Sequence, residues 1–128
     1  MNDSTNRTKR VLVVEDHPDN RMLVSKVLRR AGFELIEADR AEGLSELIAE
    51  ERPDLILMDI ELPGRSGYEA LQQLRAEPDT ASIPVIALTA YAMQEDEQRC
   101  LRAGCCDYLA KPLDIALLVE MVRKHLKS

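Results

Sequence analysis

The chain has 128 residues, 31% of them charged, 45% hydrophobic and 3% aromatic, with a formal net charge of -6. That length suits one domain able to bury an aliphatic core without staples, and the acid excess speaks against binding nucleic acid or an acidic membrane, since both call for a basic surface. The polar start, Met1 to Thr8, has no apolar leader core, and no apolar run reaches membrane-spanning length, so a cytoplasmic protein without membrane contact is expected.

Residues 1–8 lack apolar periodicity and read as a flexible tail ahead of a domain over 9–128. Arg10 to Val14 is rich in β-branched residues and reads as a strand that ends in two adjacent acids, Glu15 and Asp16. Pro18 suits the first turn of a helix, where its missing N–H costs nothing. Leu23, Val24, Val27, Leu28 and Ala31 then recur at helical spacing as its buried stripe, and Gly32 closes it. Phe33 to Ala38 reads as a second strand. Asp39 with Glu42 has capping-box spacing and predicts the start of a second helix, with Ala41, Leu44, Leu47 and Ile48 inward and Pro53 beyond its end.

Leu55 to Met58 is a short run of four apolar residues that meets a lone carboxylate, Asp59, before a Pro63-Gly64 turn. Such a run reads as a strand buried on both faces of a parallel sheet. Ser66 and Glu69 repeat the capping-box spacing, and Gly67, Ala70, Leu71 and Leu74 form the inner face of the helix that follows. Val85 to Leu88 is a fourth strand ending in Thr89-Ala90. A fourth helix, from about Ala92 to Ala103, carries little apolar surface besides Met93, Cys100 and Leu101, and is expected to shift easily. Tyr108 to Ala110 is a short fifth strand with Lys111-Pro112 at its end. Asp114 can cap a last helix whose stripe is Ile115, Leu118, Val119, Val122 and Leu126.

Cys100, Cys105 and Cys106 have no metal-ligand spacing with other Cys or His residues, and read as reduced thiols filling packing spaces. His17 and His125 read as surface residues.

Strand followed by helix, five times over, predicts an α/β fold with a doubly wound five-stranded parallel sheet, flavodoxin-like in plan, in the order 2-1-3-4-5. That order makes strands one and three neighbours and opens a crevice between their C-terminal ends, into which Glu15, Asp16 and Asp59 would all project. Two carboxylates 4 Å apart at an effective dielectric near 20 repel by roughly 4 kcal/mol, so the crevice calls for positive charge. Lys111 is one source. A hard divalent cation held by carboxylates, a backbone carbonyl and waters is the other, Mg²⁺ by preference and Mn²⁺ as a substitute. A carboxylate held beside such a cation and a lysine can act as a nucleophile towards phosphorus. Thr89 and backbone N–H groups near the small Ala90 could then meet the phosphoryl oxygens.

Glu15-Asp16, Asp59 with Pro63-Gly64 behind it, Thr89-Ala90 and Lys111-Pro112, each placed after the appropriate strand, resemble the receiver domain of two-component response regulators across roughly residues 9 to 127. Leu88 to Met93 and Gly104 to Pro112 look most like single-domain regulators of the DivK kind and receivers attached to hybrid histidine kinases. The resemblance implies that Asp59 is the phosphoacceptor. It implies that Glu15, Asp16, Asp59 and the backbone carbonyl of Glu61 form the metal site, with Lys111 paired to the phosphoryl oxygens. Thr89 and Tyr108 would be the switch pair, and Glu61 and Tyr91 would tune dephosphorylation rate. A cis bond between Lys111 and Pro112 is also implied. Arg65-Ser66 stands where Met-Asp is frequent, a departure that bears on partner preference.

The implied role is a phosphorylation-dependent signalling switch, not an enzyme beyond its own phosphorylation and dephosphorylation. Its partners would be a sensor histidine kinase or a histidine phosphotransfer protein, and a downstream effector protein. A monomer is expected. The expectation is a receiver with no output domain of its own, whether it stands alone or belongs to a hybrid kinase, so the expected output is partner binding or onward phosphotransfer. Docking is expected around the first helix and around the fourth helix, fifth strand and fifth helix. Two other classes share features of this pattern. An aspartate-nucleophile phosphatase places its nucleophile after strand one with a second Asp two residues on, whereas here Glu61 holds that offset after strand three. A flavin carrier needs a Ser/Thr/Gly-rich loop after strand one, where Glu15 to Asp19 would repel its phosphate.

Overall fold

Alternating side chains along each strand decide which face of the sheet a residue serves, and here both faces are apolar. The computed structural model describes residues 8–62, 66–90 and 94–126, with the backbone alone at 94–96. The expected tail over 1–8 falls outside these except at Thr8, as do Pro63-Gly64, Tyr91 and Met93.

Five strands, β1 (Arg10–Val14), β2 (Glu34–Ala38), β3 (Leu55–Asp59), β4 (Val85–Thr89) and β5 (Asp107–Ala110), form one parallel sheet in the order β2-β1-β3-β4-β5. The helices between and after them are α1 (Pro18–Arg30), α2 (Leu44–Glu51), α3 (Gly67–Ala76), α4 (Gln94–Ala103) and α5 (Ile115–Leu126). Val11, Val13, Leu55, Leu57, Ile86 and Leu88 pack against Val24 and Leu28 of α1 and Leu118 and Val122 of α5. Leu12, Val14, Ile56, Met58, Val85 and Ala87 pack on the other face against α2, α3 and Cys100 of α4. The expected doubly wound architecture and strand order are therefore present. Among the described residues, no helix is long and apolar enough to cross a membrane.

Several local expectations are corrected. The spacing of Asp39 and Glu42 does not begin a helix: α2 starts at Leu44, after Gly43 at φ 76, and Asp39 bonds its neighbour Arg40 at 3.0 Å. A residue at that φ cannot lie inside a right-handed helix, so the acids before it are cut off from α2. Ala41 is still buried, but from the turn ahead of the helix. On α1 the inner face runs through Val24, Ser25 and Leu28, leaving Leu23 43% exposed. The buried stripe is rotated by one position, because at 3.6 residues per turn Leu23 and Ser25 flank Val24 on opposite sides. Ile115 is 45% exposed, since the first residue of α5 lies at the edge of the packed layer.

Cys100 and Cys105 fill the core as expected, whereas Cys106 is exposed. A bond with Cys100 and then burial push the Cys105 thiol up, which disfavours the reactive thiolate. His125 is only partly at the surface: its ring is 18% exposed and Nε2 lies 3.0 Å from Asp107 at the start of β5.

The remaining helix ends follow their sequence signals. Ser66 caps α3 by accepting from the Tyr68 amide at 3.1 Å, and Asp114 caps α5 by accepting from the Leu117 amide at 3.1 Å. Gly104, at φ 111, closes α4, and its carbonyl accepts from Arg75 Nε of α3 at 2.9 Å.

Candidate functional site: an acidic crevice at the strand ends

The site is assembled by parity. Asp59 follows Leu55 and Leu57 on the α1/α5 face, Glu15 follows Val11 and Val13, and Lys111 follows Leu109, whose side chains all serve that same face. Register brings them level: Val14 pairs with Met58 and Asp59 with Leu88. Lys111 Nζ donates to Asp59 Oδ2 at 2.9 Å and lies 3.0 Å from Glu15 Oε1. Glu15 and Asp59 are both fully buried. Burial first, and then the neighbouring Asp59 carboxylate, raise the pKa of Glu15. Burial opposes charge on Lys111, but its bonds to Asp59 and Glu15 outweigh that and hold its pKa above the ordinary lysine value. The bond between Lys111 and Pro112 is cis.

Glu15, Asp16, His17 and Asp59 each place one ligand atom within 4.8 Å of the others. Asp16 Oδ1 is buried without a hydrogen bond; the ring nitrogen Nδ1 of the exposed His17 lies 3.3 Å from it and equally far from Glu15 Oε2. Clustered carboxylate oxygens, one of them buried and unsatisfied, suit a hard divalent cation. His17 was not foreseen here, although its place directly after two acids was the available signal.

Thr89 and Tyr108 lie on the opposite parity, facing α3 and α4. Tyr108 pairs with Ala87, two residues before Thr89, so the two side chains are diagonal neighbours on one face. Different carboxylates engage them. Thr89 Oγ1 donates to Glu61 Oε2 at 3.0 Å, and Tyr108 OH donates to Glu97 Oε2 of α4 at 3.2 Å. The amide of Glu61 donates to Asp59 Oδ1 at 2.9 Å, and its Oε1 accepts from the Ala90 amide at 3.1 Å. The Glu61 side-chain bridge from the end of β3 to the end of β4 was not anticipated, nor was the bond from Tyr108 to Glu97.

A model of the response regulator receiver domain matches residues 11–123. The chain belongs to this family. It is 39% identical over 119 residues to the polar-differentiation response regulator DivK of Brucella ovis, covering 93% of this chain and 97% of that one. Among solved structures, the receiver domain of the sensor histidine kinase PA1611 of Pseudomonas aeruginosa, with a magnesium ion coordinated in its active site cleft, is 36% identical with a TM-score of 0.86, covering 95% of this chain and 100% of that one. The chemotaxis response regulator CheY4 of Vibrio cholerae is 26% identical with a TM-score of 0.87, covering 94% of this chain and 100% of that one. The chain is thus a receiver domain of two-component signalling, and receivers of this kind act as switches that meet histidine kinases and effectors. Its acidic cluster is compatible with a divalent metal. The crevice at the topological switch point lies where open α/β sheets bind ligands.

Proposed function

We propose that this receiver, as a unit over residues 9–128, accepts a phosphoryl group on Asp59 from a sensor histidine kinase or a histidine phosphotransfer protein. The supporting observation is the buried Asp59 held 2.9 Å from Lys111 within a cluster of acids. In transfer from a phosphohistidine, a bond forms between an Asp59 carboxylate oxygen and phosphorus as the P–N bond breaks, and the imidazole nitrogen keeps the electron pair. Glu15, Asp16, Asp59 and the carbonyl of Glu61 would hold Mg²⁺, with Mn²⁺ able to substitute. The bound cation would supply charge neutralisation for the phosphoryl oxygens. Lys111, freed from its pairing with Asp59, meets one phosphoryl oxygen. The Thr89 hydroxyl and the Ala90 amide donate to others.

The acyl phosphate adds a group with ≈ −1.5 to −2 charge beside β4. Movement of Thr89 towards it opens space next to Tyr108. Tyr108 then leaves Glu97 and turns inward, which reshapes the α4 and β5 surface read by a downstream effector. Glu61 and Tyr91 set the lifetime of the phosphoryl group. The match spans 97% of DivK, which leaves that relative no room for a separate output domain and supports an output by protein–protein interaction or onward phosphotransfer.

Incubation with acetyl phosphate and Mg²⁺ followed by intact mass tests this reading. One labile phosphoryl adduct is expected on the wild type, and none on Asp59→Asn or in EDTA. An adduct that persists on Asp59→Asn would place the acceptor elsewhere.

A further inference from the structure

The Glu61 carboxylate is engaged at both oxygens, by the Thr89 hydroxyl at 3.0 Å and by the Ala90 amide at 3.1 Å. Its own amide holds Asp59 Oδ1 at 2.9 Å, so this one residue grips the acceptor with its backbone and the facing strand end with its side chain. The two donors it occupies are those assigned above to phosphoryl oxygens. A carboxylate and one edge of a phosphoryl group both present a pair of anionic oxygens, so they suit the same pair of donors. They also repel: Glu61 is half-buried, and turning the Asp59 carboxylate two residues away into an acyl phosphate takes the charge there from about −1 to about −1.5 to −2. The donors cannot serve both anions at once.

We propose that Glu61 is a built-in competitor for the phosphoryl site, a positioning residue that occupies Thr89 and Ala90 in the resting protein and must be expelled before the phosphoryl group can engage them. The proposal rests on Asp59 being the acceptor. It gives Glu61 a specific action: holding Thr89 in its resting place raises the threshold for switching, and release of the carboxylate from β4 is the first motion on activation. The Tyr108 bond to Glu97 is a second contact on the same face, released after Thr89 has moved.

Beryllofluoride, a non-covalent stand-in for the phosphoryl group, separates this action from the chemistry of transfer. Binding is measured at saturating Mg²⁺ on wild type, Glu61→Ala and Glu61→Gln, alongside the Ala90 amide resonance of each protein without metal. With the competitor removed, Glu61→Ala should bind beryllofluoride about tenfold or more tightly, as expected from losing two charge-assisted hydrogen bonds. Glu61→Gln, which keeps the shape and guards against misfolding, should fall between the two. The Ala90 amide should move upfield in Glu61→Ala even before metal or beryllofluoride is added. An unmoved Ala90 resonance, or beryllofluoride affinity equal to or below wild type in both variants, would overturn the proposal. Absence of binding to all three proteins would instead remove the assignment of Asp59, and the competitor role with it.

Discussion

Lys111 stands between two buried carboxylates, 3.0 Å from Glu15 and 2.9 Å from Asp59. Removing one member of a buried charge cluster leaves the others uncompensated, at a cost of several kcal/mol when fully buried. Lys111 is 16% exposed at its side chain, so Lys111→Met should cost somewhat less, about 2 kcal/mol in urea unfolding without metal. Mg²⁺ should restore part of that loss. Equal stability of the two proteins in EDTA would mean that protons already neutralise the acids.

A second residue-scale expectation concerns Tyr108, whose phenol burial and the Glu97 carboxylate push upward from the ordinary value. Because the folded protein holds this proton more tightly than the unfolded chain does, the associated stability is present below the unfolded pKa and lost as pH rises through the folded one. Alkaline absorbance titration, with Tyr108→Phe as the subtraction control, should place this phenol above a free tyrosine. Glu97→Gln should bring it down. A Tyr108 that titrates like free tyrosine in both proteins would show that the bond is not maintained in solution.

Among the elements, the start of α3 is the tightest junction near the acceptor. A Cβ on Gly67 would lie 2.6 Å from the Asp59 carbonyl oxygen and 2.7 Å from the Ile60 Cα, both backbone atoms that cannot step aside. Gly67→Ala should therefore destabilise the fold by about 1–3 kcal/mol, the usual range for overpacking, and weaken Mg²⁺ binding by shifting the end of β3. Wild-type Mg²⁺ affinity together with wild-type stability would mean that α3 can back away freely. The opposite extreme is α4: of its residues 97–103, Cys100 alone is buried. The sparse apolar pattern of that stretch already indicated a lightly tethered helix. Besides the packing of Cys100 and the partly buried Ala103, its ties to neighbours include Arg99 stacked 4.1 Å over the Tyr68 ring. By contrast, the start of α2 departs from its capping-box spacing, which reports only local pairing. That spacing carries no information about whether the glycine that follows will turn left-handed, as Gly43 does.

For the whole molecule, a divalent metal bound in the acidic crevice would make metal binding and folding one equilibrium. Any ligand that binds the native state alone stabilises it by RT ln(1 + [L]/Kd). Mg²⁺ should thus raise the thermal midpoint in proportion to the logarithm of its concentration, and Asp16→Asn should flatten that response. A midpoint indifferent to Mg²⁺ in the wild type would argue that the cluster does not take the ion.

The sheet order and the placing of Glu15, Asp59, Thr89 and Lys111 at strand ends were legible because short continuous apolar runs that end in polar residues are local properties of the chain, and helix-length connections between five such runs favour this parallel order. Which acid pairs with which donor was not. The reach of Glu61 to Thr89, of Tyr108 to Glu97 and of His125 to Asp107 spans separate strands and helices. Such contacts depend on the register in which those elements dock and on the face each side chain inherits from it. The residues alone determined that charge would gather at one rim of the sheet; only the docked sheet and helices decided how that charge is partnered, because hydrogen bonds are set by ångströms between segments far apart in the chain.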